Sequence, residues 1–87
     1  MKDQFEQFLI QQGYKLKTPS GNPSTVPQYI NSIEKVCKRE HCSWNTLARK
    51  IDVIVCKYDI GGAEEDFGDI GHKTVINALK RFQEFVR

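Results

Sequence analysis

Apolar residues recur along this chain at helical spacing, in four blocks separated by polar or Gly/Pro-rich stretches. In the first block, Phe5, Phe8 and Leu9 form a stripe among Gln4, Gln7, Gln11 and Gln12, which predicts a helix from Asp3 to Gln12. Asp3 caps it, with Glu6 three residues on, and Gly13 offers a left-handed stop. Residues 14–23, dense in Pro, Gly, Ser and Asn, read as a loop. In the second block Val26, Tyr29, Ile30, Ile33, Val36 and Cys37 keep the helical period without a break. That helix opens at Ser24, whose hydroxyl can accept an orphan backbone N–H, and it ends near Glu40 or His41. Pro27 falls in its first turn, where a missing donor costs nothing.

In the third block Ser43 caps a run in which Trp44, Leu47, Ile51, Ile54, Val55 and Tyr58 face one way. Ile51 to Val55 is β-branched, but a lone strand with no partner is unstable, so the segment is predicted helical with a break near Lys50. A glycine-containing loop, 59–71, leads to a last helix over about 72–86. That helix buries Val75, Ile76, Leu79, Phe82 and Val86, while Ala78 allows close packing and Phe85 extends the face. The pattern predicts an all-α fold: one domain, 1–87, built as a compact bundle of four to five short helices.

Composition agrees with a single soluble globule. Of the 87 residues 39% are apolar and 28% charged, too apolar for a disordered chain and too few for two cores. No apolar stretch approaches the ~20 residues of a membrane span. The polar opening Met1 to Glu6 is not a secretory signal. Three irregularly spaced cysteines argue against a disulfide framework and for a reducing compartment, so a cytoplasmic location is expected, with no membrane partner. The net charge of +2 hides an uneven distribution. Residues 59–69 hold five of the 11 carboxylates and no Lys or Arg, which leaves 13 basic groups against six acidic ones in the other 76 residues. Such a basic body either presents a cationic face to phosphates or simply solvates its helices.

Chemistry of other kinds finds little footing. Cys37 and His41 stand at i, i+4, with Cys42, Cys56 and His72 as further thiol and imidazole groups, but there is no C-x-x-C pair and Cys37 belongs to the apolar stripe. His41 beside Cys42 in sequence is not a nucleophile–base pair, because chain neighbours point different ways. Glu64, Glu65, Asp66 and Asp69 lack the spacing of a calcium loop. The nearby glycines sit among carboxylates and cannot cradle a phosphate. No metal, cofactor or small-molecule substrate is expected, and no enzymatic activity.

Two helix openings about fifty residues apart share a Thr-Val pair, Thr25-Val26 and Thr74-Val75. The segments STVPQYINSIEKVCKRE (24–40) and HKTVINALKRFQEF (72–85), with the helical stretch between them, resemble the SAM-like core-binding domain of phage-integrase-type tyrosine recombinases. In that family one helix opens with Ser-Thr and a Tyr four residues on, here Thr25 and Tyr29. A last helix carries Thr-[VI]-x-x-x-[LI]-x-x-[LF]-x-x-F, here Thr74 to Phe85. The resemblance spans roughly residues 3–87. It implies binding of duplex DNA, with the helices at 24–40 and 72–86 facing the major groove. The family's Arg/Lys/His set and tyrosine nucleophile belong to a separate catalytic domain, a possible partner with no counterpart in these residues.

Carried over by residue type, the resemblance implies phosphate contacts at Ser24, Thr25, Lys73 and Thr74, where helix amino ends favour anions. Lys35, Lys38, Arg39, Lys80, Arg81 and Arg87 supply charge along the helices. Gln28, Asn31, Asn77 and Arg81 are the groups able to read base edges. Plain helix capping by Thr25 and Thr74, and solvation by the Lys and Arg residues, account for the same positions. DNA binding requires both amino ends and both cationic flanks on one side, with the acidic loop turned away. An alternative is a protein–protein module that docks a partner on the acidic loop 59–69 or on Tyr14 and Phe67.

Overall fold

The periodic blocks fold as helices. A computed structural model describes all 87 residues and contains six: α1 (Lys2–Gln11), α2 (Thr25–Arg39), α3 (Trp44–Arg49), α4 (Ile51–Tyr58), α5 (Glu65–Gly68) and α6 (Ile70–Val86). The architecture is all-helical, with one isolated β-bridge between Lys17 and Pro23 inside the first loop. The β-branched run at 51–55 is helical, and the break falls at Lys50, whose φ of −114° and ψ of 25° leave the helical region.

The sixth helix, α5, was not predicted. It is a single turn inside the acidic connection, too short for periodicity to reveal. Two glycines press that connection onto the end of α4. A Cβ at Gly62 would run into the Lys57 carbonyl oxygen, and one at Gly68 into that of Tyr58. The start of α6 also departs from expectation. Gly71, His72 and Lys73 all lie in the left-handed region, at φ of 69°, 57° and 68°, so the regular right-handed helix begins at Thr74.

The helix ends show which caps form. Ser43 caps α3, accepting from the Thr46 N–H at 3.2 Å. Asp3 does not cap α1, which starts one residue earlier with Met1 at the cap position. Ser24 occupies the cap position of α2, but its hydroxyl accepts nothing from the helix. At their other ends α1 and α2 use the same device. The Gly13 N–H donates to Ile10 O (3.0 Å) and the Tyr14 N–H to Leu9 O (3.1 Å). One helix later His41 N–H donates to Lys38 O (3.3 Å) and Cys42 N–H to Cys37 O (3.0 Å). This double closure needs a left-handed residue at its centre, supplied by Gly13 at φ 96° and by His41 at φ 53°.

All helices but α5 contribute to one core of 17 buried residues. Its centre is aromatic: Phe82 meets Phe5 edge-on at 5.2 Å between ring centroids and Trp44 at 5.5 Å. Fully burying one such side chain contributes about 2–3 kcal/mol. Tyr14 and Phe67, expected as exposed aromatics, are both engaged. Tyr14 packs on Tyr29 at 5.6 Å, and Phe67 lies against Tyr58 at 5.9 Å with the Arg39 guanidinium over its ring. No helix is long and apolar enough to cross a membrane.

Candidate nucleic-acid interface

The outer face of α2 carries Gln28, Asn31, Lys35 and Lys38 at i, i+3, i+7 and i+10, all exposed. They stand there because Val26, Ile30, Ile33, Val36 and Cys37 take the opposite, buried face. On α6, Val75, Ile76, Ala78, Leu79 and Phe82 are buried, which turns Thr74 and Asn77 away from the core and leaves Arg81 half-buried beside Tyr14. Where the two helices pack together, a shallow cleft of about 170 Å³ opens between them. Gln28, Asn31, Ser32 and Lys35 line one wall, Ile70, Thr74 and Val75 the other. Four of the expected residues, Gln28, Asn31, Lys35 and Thr74, therefore share one surface, and no carboxylate lines it. Ser32 and Ile70 were not expected there. Ser32 sits on the shoulder of the apolar stripe of α2, and its hydroxyl donates back to the Gln28 carbonyl at 2.9 Å.

The rest of the expected site is rearranged. The amino end of α2 is largely closed by the preceding loop. Its Val26 N–H donates to the Lys15 carbonyl (3.1 Å), and the Ser24 N–H just ahead of the helix to that of Leu16 (3.1 Å). Gln28 N–H closes onto Ser24 O, and Pro27 has no donor, so within the first turn only the Thr25 N–H is left without a backbone partner. The amino end of α6 is similarly occupied. The Thr74 hydroxyl donates to the Gly71 carbonyl, and Lys73 pairs with Asp69 at 3.6 Å.

The acidic connection does not turn away from the basic helices. Arg39 is bound by Glu64 at 2.6 Å and Lys80 by Asp59 at 3.3 Å, so with Lys73 three of the expected cations are held by carboxylates of 59–69. Arg81 pairs with Glu84 at 2.8 Å and donates to the Tyr14 hydroxyl, while Arg87 reaches Asp52 at 3.5 Å. The Ile60 backbone N–H, aided by Lys80, holds Asp59 below the ordinary carboxylate range against the opposing effect of desolvation. Lys35 and Lys38 alone among the expected cations have no carboxylate within ion-pair distance. These pairings join residues 25 apart (Arg39 with Glu64) and 21 apart (Lys80 with Asp59), a relation that only the packed bundle sets.

Comparison of the chain with family models, with curated proteins and with solved structures returned no match.

Proposed function

We propose that the chain is a DNA-binding module of the SAM-like core-binding kind, engaging duplex DNA chiefly across the α2–α6 cleft, because the acidic connection closes on the flanks that the sequence expectation needed free. The observation that carries this is the carboxylate-free surface on which Gln28, Asn31, Lys35 and Thr74 meet. Lys35 and Lys38, unpaired within the fold, supply the phosphate contacts that set affinity and salt dependence. The amides of Gln28, Asn31 and Asn77 have the paired donor and acceptor that reads an adenine edge in the major groove. Arg39, Lys73, Lys80 and Arg81 take part by exchange. Their ion pairs lie at the surface, where solvent screens them, and a phosphate can replace the carboxylate.

Docking of a protein partner on the acidic connection has less support. Three of its five carboxylates are held in ion pairs and Glu65 accepts from the Gly61 N–H, and both aromatics assigned to that role are packed.

The test is charge reversal at the two free lysines, Lys35→Glu with Lys38→Glu, read by fluorescence anisotropy on duplex DNA at low salt. Both side chains are exposed and bond to nothing, so the melting temperature should hold within a few degrees while affinity drops at least tenfold. Undiminished binding by a folded double variant excludes this face.

A further inference from the structure

The shared closure of α1 and α2 places two side chains in contact at each helix end, the residue whose carbonyl accepts the outer bond and the residue that donates it. At α1 these are Leu9 and Tyr14, an ordinary apolar pair; at α2 they are Cys37 and Cys42. The geometry points to a reversible disulfide between Cys37 and Cys42, formed by exchange with a small-molecule disulfide of the glutathione type. The groove borders the proposed DNA-binding surface at Lys38, but the bridge does not rest on that reading.

Three observations carry it. The Cys42 N–H to Cys37 O bond of 3.0 Å, with the covalent bonds at either end, keeps the two Cα atoms within about 7 Å, the span across which disulfides form. The turn between them is already closed by His41 in the left-handed region, so no helical residue has to unwind. Both cysteines line one open groove of about 710 Å³ with His41 and Trp44, which admits a tripeptide-sized reagent. The two thiols differ in access. Cys37 is buried, and burial followed by the nearby Cys42 pushes its thiol up to about 12, whereas Cys42 is half-exposed in the groove. No group of three His, Cys, Asp or Glu side chains gathers there to hold a metal ion.

The order of events follows. The Cys42 thiolate attacks one sulfur of the reagent, breaking its S–S bond and releasing one small thiolate. Cys37 then gives its proton to water and attacks the Cys42 sulfur, expelling the second small thiol. Two protein thiols lose two electrons and one reagent disulfide gains them. Cys56, exposed on α4, has no such neighbour.

Incubation of the full chain with excess oxidised glutathione, alkylation under denaturing conditions, and unreduced proteolysis with mass spectrometry tests this. The expected product has lost two hydrogens, carries one alkyl group, on Cys56, and yields a cross-linked pair of peptides joining Cys37 to Cys42. The Cys56→Ser variant should bridge as before, and Cys42→Ser should leave Cys37 fully alkylatable. A stable glutathione adduct on Cys42 with Cys37 free, or three alkylated cysteines, overturns the assignment.

Discussion

At Glu40 one carboxylate ties the end of α2 to the end of α4. It accepts from the Tyr58 hydroxyl at 2.7 Å and from Lys57 at 2.9 Å, with only 11% of its side chain exposed. Burial works against its charge, but donation from Tyr58 and then Lys57 outweighs it, leaving the carboxyl below its usual range. A carboxylate whose folded value is depressed adds stability above the unfolded value, and that stability is lost as pH falls through the folded one. Stability should therefore drop as pH is lowered below the ordinary carboxylate range. Glu40→Gln should cost about 1–2 kcal/mol at neutral pH and show a flatter acid limb in denaturant titrations from neutral to pH 3. A variant with an unchanged acid limb contradicts this assignment. The residue scale holds a second test at His41. A non-glycine residue in the left-handed region costs about 1 kcal/mol, so His41→Gly should raise stability by about 0.5–1 kcal/mol in chemical denaturation. A loss would mean that the imidazole contributes something its exposed position hides.

Among the elements, period alone located the helices. Val26 to Cys37 and Val75 to Phe82 are buried as their spacing required, because a face with one apolar residue per turn has nowhere else to go. The helical state of Ile51 to Val55 was legible too, since a lone strand has no partner. What the chain did not disclose lies where backbone meets backbone or charge meets charge across the fold. The turn of α5, the left-handed run at 71–73 and the approach of Gly62 and Gly68 to α4 leave no periodic trace. Half the candidate site was readable, as residue types on two exposed faces. The partial closure of the α2 amino end by Lys15 and Leu16 carbonyls was not, because nothing in a loop of Lys, Pro and Asn says where it folds back. The pairing of Arg39 and Lys80 was equally hidden. If the acidic connection restrains the basic helices, then Asp59→Asn with Glu64→Gln frees both cations. Affinity for duplex DNA should rise by roughly threefold to tenfold at low salt, since each release adds one phosphate contact. A fall in affinity, in a variant that melts normally, would instead favour the connection as a binding surface in its own right.

For the molecule as a whole, charge is segregated. A cleft free of carboxylates faces one way, and a connection carrying five acidic residues binds the flanks of the helices that form it. Exposed apolar residues fall in both regions and outside them: Ile60, 72% exposed, is in the connection, Ile70 lines the cleft, and Val53, 68% exposed, lies on α4. On the proposed reading, duplex DNA would be held mainly by electrostatic contacts over a small footprint. The most direct measure is the equilibrium constant for duplex DNA titrated from low to physiological salt. The account predicts a linear log–log plot with a slope of about −2 to −4, from two free lysines and the exchangeable cations beside them. No binding at the lowest salt, or a slope near zero, would contradict it.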